Sequence, residues 1–171
     1  MVRNVLVRAG LAGTWLAASV LPARADASVL VGATTAGSAR PTVTVSFGHC
    51  PSVVGFDVEY SSSLGTGTVA SPIVGTITGN VIVQSKPTIH GLQLYGSGGI
   101  GLAGETTGDG LGSGEVITRD IGGGAKIGIA GRLKLRIDYR VFLLGDAPDA
   151  ARGFGVYRHP QRVSAGLSVA F

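Results

Sequence analysis

The sequence predicts an all-β fold, an eight-stranded antiparallel up-and-down transmembrane β-barrel preceded by a signal peptide. Three observations predict it. Apolar and polar residues alternate with a period of two along most of the chain, the charged residues of those segments gather on one face, and the connections alternate between short and long. The composition allows such a fold. Of 171 residues, 44% are hydrophobic and only 14% charged, which is too apolar for a disordered chain. The length suits one domain, and the 29 glycines follow no three-residue period of the collagen kind.

Residues 1–25 read as a secretory signal. Arg3 and Arg8 precede an apolar stretch from Ala9 to Leu21, and Ala23-Arg24-Ala25 supplies small residues two apart, predicting cleavage after Ala25. The apolar stretch is shorter than the roughly 20 residues a spanning helix needs. Without Arg3, Arg8 and Arg24 the formal charge falls from +4 to +1. The remaining 26–171 segment carries no basic run that would track phosphates, so no nucleic-acid partner is expected. Cys50 is the only cysteine, which excludes an internal disulfide framework and a thiolate metal cluster.

The strands follow in order. Residues 27–35 form a weak first strand of uncertain face. Residues 42–48 set Val43, Val45 and Phe47 against Thr44 and Ser46, and residues 55–61 set Phe56, Val58 and Tyr60 against Asp57 and Glu59. Residues 73–84 place Ile73, Ile77, Val81, Val83 and two glycines opposite Thr76, Thr78, Asn80 and Gln84. Residues 92–102 place Leu92, Leu94, Ile100 and Leu102 opposite Gln93, Tyr95 and Ser97. Residues 117–129 set Ile121, Ala125, Ile127 and Ile129 against Asp120 and Lys126.

The clearest alternation is in residues 133–143, with Leu133, Leu135, Ile137, Tyr139, Val141 and Leu143 on one side and Lys134, Arg136, Asp138, Arg140 and Phe142 on the other. The last strand sets Val163, Ala165, Leu167, Val169 and Phe171 against Arg162, Ser164, Gly166, Ser168 and Ala170. Turns at 49–52, 85–88 and 131–132 are short, whereas 62–71, 103–114 and 145–160 are longer and rich in Gly, Ser, Thr, Asp or Pro. Residues 36–40 are expected as a short outer loop.

Alternation alone does not separate a soluble barrel from a membrane one. The charges decide. Asp57, Glu59, Asp120 and Asp138 balance Lys126, Lys134, Arg136 and Arg140 on one face; inside a closed barrel they can pair across the lumen, whereas lipid satisfies none of them. Closure also pairs every strand edge, which hydrocarbon demands. With eight strands the interior is largely filled by side chains, so no wide pore is expected.

The terminal run Ser164-Ala165-Gly166-Leu167-Ser168-Val169-Ala170-Phe171 resembles the C-terminal β-signal of bacterial outer-membrane proteins. The resemblance implies that Ser164, Gly166, Val169 and Phe171 are read by the barrel-assembly machinery. Across residues 27–171 the pattern is similar to the small eight-stranded barrels of the outer-membrane protein A, X and W kind. In particular, Gly122-Gly123-Gly124-Ala125-Lys126-Ile127 followed by Leu135-Arg136-Ile137-Asp138-Tyr139-Arg140 is similar to their penultimate hairpin. It implies a monomer in the outer membrane, in contact with lipid that includes lipopolysaccharide.

Motifs for chemistry are weak. Gly96-Ser97-Gly98-Gly99-Ile100-Gly101 fits G-x-G-x-x-G, but no helix-forming run follows to hold a pyrophosphate, so no cofactor is expected. His49, His90 and His159 are isolated near strand ends without metal-ligand spacing. Asp57 and Glu59, two apart on one face, fit a structural ion-pair role better than acid–base work. No His sits two residues from a Ser on a strand, as in barrel esterases that act on lipid A. Residues 152–158, with Arg152, Phe154, Tyr157 and Arg158, form the most distinctive outer loop. The expectation is a non-enzymatic barrel with a structural or surface-interaction role. A narrow channel or small-solute carrier is the alternative, and a lipid-modifying barrel enzyme the second.

Overall fold

A computed structural model describes residues 25–36, 38–65, 73–87, 91–107, 110–111, 116–144 and 159–171. The strands are β1 (Ala25–Ala36), β2 (Ser38–His49), β3 (Val54–Ser63), β4 (Ile73–Gln84), β5 (Leu92–Thr107), β6 (Gly110–Leu111), β7 (Val116–Ala130), β8 (Leu133–Leu144) and β9 (Gln161–Ala170). β6 pairs only with the end of β5, so it is a small hairpin rather than a stave. The other eight run antiparallel in sequence order, β5 beside β7, and β9 returns to pair with β1 from Asp26↔Ala170 to Thr35↔Gln161. That seam closes the barrel.

The inside and outside are reversed relative to a soluble protein. Val31 and Ile121 are 63% and 62% exposed, while Arg136 and Arg140 are 0% exposed. Strand geometry sends alternate side chains to opposite faces, so the β8 pattern puts Ile137 and Tyr139 outside and Arg136, Asp138 and Arg140 inside. In water such an apolar exterior would promote aggregation, and in hydrocarbon it is the favourable surface.

Two connections differ from expectation. The segment 103–114 is not one long loop, because β5 continues to Thr107 and the β6 hairpin folds back on it. Residues 36–40 are not a loop either, since β1 and β2 stay paired to Ala36↔Ser38. In both places Thr, Ser, Ala and Gly read as turn chemistry, yet the ladder continues past the apolar part of the strand. The uncertain face of the first strand is also resolved: Val29 and Val31 point out while Leu30 is buried inside, which explains why this strand shows no clean alternation. Residues 1–24 of the expected signal peptide 1–25, the 152–158 loop and His90 lie outside the described residues.

Short turns and both described chain ends share one end of the barrel. Gly131 takes φ 55° in the two-residue β7–β8 turn, a left-handed conformation that glycine adopts without a Cβ penalty. At the seam, the Ala25 N–H donates to the Phe171 carbonyl at 3.1 Å and the Phe171 N–H to the Ala25 carbonyl at 2.9 Å. Ala25, the residue before the expected cleavage point, is therefore already part of the first strand.

Candidate functional site

Among the described residues, the lumen gathers most of the buried charged side chains. Strands β3, β7, β8 and β9 each aim charged side chains inward, because every second residue faces the bore. Arg136 and Arg140, two apart on β8, lie one above the other. The Arg136 Nε donates to the Tyr95 hydroxyl at 2.9 Å, its Nη1 to Ser46 Oγ at 2.9 Å, and its Nη2 lies 3.3 Å from Asp138 and 3.4 Å from Asp57. Tyr95 in turn donates to Asp138 Oδ2, and Asn80 Nδ2 donates to Asp57 Oδ1 at 2.9 Å.

One level further from the turn end, Arg140 gathers four carboxylates, the most distant being Asp57 at 3.8 Å from its Nη2. Its Nε lies 3.0 Å from Asp138 Oδ1, Nη1 2.9 Å from Asp120 Oδ1 and Nη2 3.1 Å from Glu59 Oε2. Arg162 of β9 reaches Glu59 from the other side and stacks over the Phe142 ring at 5.0 Å. Val74, Ala103 and Leu144 pack together beyond it at the outer end. Each guanidinium presents several donors in a rigid fork, which suits it to joining carboxylates from different staves. The bore is thus crossed by side chains of β3, β5, β7, β8 and β9.

The eight charged residues expected in the lumen do not all join this network. Asp57, Glu59, Asp120, Arg136, Asp138 and Arg140 do. Lys126 instead pairs with Asp26 near the turn end, with its Nζ 5.8 Å from the Tyr95 ring centroid, and Lys134 reaches Gln93 Oε1 at 3.4 Å. The sequence did not mark Arg162, Tyr95 and Asn80 as members, nor Asp26 as the partner of Lys126. Arg162 and Asn80 stood on the polar faces of their strands, which was the available signal; Asp26 lay ahead of a strand whose face was unassigned.

Of the terminal run, Ser164 and Gly166 face the lumen and Val169 faces out. The Phe171 ring lies 5.8 Å from Phe47. The glycine-rich motif 96–101 lies within β5, away from any helix terminus among the described residues. His49 ends β2 with its ring 6.0 Å from Phe56, His159 is exposed, and no cluster of metal-ligating side chains occurs among the described residues. Cys50 sits in the β2–β3 turn, where burial pushes its thiol up from the ordinary value and the Lys126 charge opposes this.

Outward faces form an apolar band. Val29, Val45, Val58, Ile77, Val81, Ile100, Ile137 and Leu167 are all exposed. Arg119 of β7 is an outward cation close to the outer end of that strand.

No protein-family model matches the chain, and no curated protein matches it in sequence. Among solved structures it is similar to neisserial surface protein A, with 17% identity over 86% of this chain and 96% of that one and a TM-score of 0.67. It is also similar to the N-terminal β-barrel domain of Pseudomonas aeruginosa OprF, with 12% identity over 88% of this chain and all of that one and a TM-score of 0.60. The outer-membrane enzyme PagL is a third, with 15% identity over 85% and 99% of the two chains and a TM-score of 0.52. The fold is that of small eight-stranded bacterial outer-membrane barrels.

Proposed function

We propose that this barrel resides in the outer membrane as a non-enzymatic protein with a structural or surface-interaction role, its lumen closed to solutes. The observation that carries this reading is the network in which Arg136, Arg140 and Arg162 bridge Asp57, Glu59, Asp120 and Asp138 across the bore. An open channel needs continuous room, and here paired side chains fill the centre while Phe142 lies against Arg162 further out. With the bore filled, action falls to the outer loops and the lipid-facing wall, where lipopolysaccharide is the expected neighbour.

The charges also fit a structural role better than a catalytic one. A catalytic carboxylate must be free to exchange a proton with substrate in a cleft. Asp57, Asp120 and Asp138 are each held by an arginine and are shut away from solvent. In assembly, Ser164, Gly166, Val169 and Phe171 serve as the signal read by the barrel-assembly machinery, and the product is a monomer. Planar-bilayer recording tests the central claim: the reading requires an absence of reproducible single-channel steps, and steps from the native barrel would overturn it. Acyl release or transfer on lipid A by the purified barrel would overturn the non-enzymatic part.

A further inference from the structure

The turn end of the barrel is built differently from its centre. It opens into a vestibule of about 520 Å³ whose lining includes Asp26, Gln84, Lys86, Gln93, Lys126, Arg132, Lys134 and Phe171. The vestibule adjoins the Arg136–Tyr95–Asp138 layer through Lys126, whose Nζ lies 5.8 Å from the Tyr95 ring centroid. Its charges are unbalanced. Four cations face Asp26 and the terminal carboxylate of Phe171, and Asp26 is already engaged by Lys126.

Three of those cations remain available. Lys134 touches only the neutral Gln93 amide, and Lys86 and Arg132 make no ion pair among the described residues. They come from separate pieces of chain, the β4–β5 connection, the β7–β8 turn and the start of β8, so they approach one volume from more than one side. This contrasts with the lumen centre, where every arginine has a carboxylate.

We infer that this vestibule is a binding site for a multivalent phosphate anion. A guanidinium fork and two ammonium groups around a concave volume match the chemistry of phosphate oxygens. Partly enclosing walls weaken solvent screening and raise the local potential. The same chemistry is offered by a soluble phosphate compound and by an anionic lipid headgroup at the adjacent leaflet. The site goes beyond the closed-lumen reading and does not depend on conductance, so failure here leaves that reading intact.

The test is calorimetric titration of the folded barrel, in an uncharged maltoside detergent, with inorganic pyrophosphate. Saturable one-to-one binding that weakens as salt rises is expected. In Lys86→Ala/Arg132→Ala, whose two changes lie at the rim and outside the ion network, affinity falls by about tenfold or more. Heat-modifiable mobility verifies that this variant is folded. Arg119→Ala, altered at the opposite end, binds as the native protein does. No saturable binding, or equal affinity in the folded rim variant, overturns the proposal, as does loss of binding in Arg119→Ala. Repeating the titration in phosphatidylcholine vesicles with and without phosphatidylglycerol separates the sources. Unchanged pyrophosphate affinity supports a soluble ligand, and competition by phosphatidylglycerol supports a headgroup.

Discussion

Glu59 on β3 and Arg162 on β9 meet across the bore and share a hydrogen bond. β1 and β2 lie between those strands in the sheet, so this contact is a chord through the lumen rather than a neighbour contact along the wall. Removing both side chains deletes the upper crossing and leaves an unfilled section of bore. Glu59→Ala/Arg162→Ala is therefore expected to conduct in planar bilayers where the native barrel does not. Unchanged electrical silence would show that the other charges suffice to close it.

Arg140 is the residue on which most of the network depends. Substituting it with alanine leaves Asp120, Asp138 and Glu59 short of a buried partner, and breaking a buried pair from one side costs about 3–5 kcal/mol. Denaturant unfolding in lipid vesicles measures this directly. A loss under about 1 kcal/mol would mean that lumen water screens these carboxylates as bulk solvent would.

Gly124 and Gly79 provide a paired test of packing. A Cβ at Gly124 would collide with the Ile137 carbonyl oxygen and fall 2.7 Å from the Tyr95 hydroxyl, whereas a Cβ at Gly79 meets nothing within 4 Å. Gly124→Ala is expected to destabilise by about 1–3 kcal/mol through forced displacement, and Gly79→Ala to be close to neutral. Folded fraction by heat-modifiable mobility ranks the two.

The apolar band gives a depth prediction. Ile121 lies well inside its strand beside Gly98 and Val141, and Ile129 lies at the turn end; both side chains face outward. A lysine at Ile121 is expected to cost about 2–4 kcal/mol and one at Ile129 about 0–1 kcal/mol, since charge is tolerated as the interface is approached. Unfolding free energies in vesicles check the gradient, and equal costs would contradict the membrane placement of the band.

Phe171 forms the last reciprocal backbone contact of the seam and lies 5.8 Å from Phe47. Deleting it is expected to lower the heat-modifiable band in the outer-membrane fraction well below the level left by deleting Leu64 from its outer connection. Normal assembly of the truncated chain would remove the β-signal reading.

Fold and strand faces were legible because a membrane barrel writes both environments into each strand. Residues 73–84 form β4 with those same ends, and β8 exceeds its expected range by one residue. What escaped was whatever depends on distance around the barrel. Alternation says that Arg162 and Glu59 both point inward; only the register of eight closed strands brings them together. Alternation puts Tyr95 on the polar face, yet its hydroxyl linking Arg136 to Asp138 depends on β5 lying next to β7 and on the room left by Gly124. The outer ends were misjudged for a simpler reason: backbone pairing persists to Thr107 and Ala36 after the apolar side chains that announce a strand have run out.

The seam between β1 and β9 has a consequence for timing. Asp26 pairs with Ala170, residues from opposite ends of the described chain, so the ring cannot close until nearly the whole polypeptide is present. Pairings that remote carry the largest loop-closure entropy and form late. Until then β1 and β9 each expose an unpaired edge, and the apolar side chains of every strand lack their lipid. Closing the ring is consequently the step that waits for both ends of the chain, while the hairpins between neighbouring strands need only local sequence.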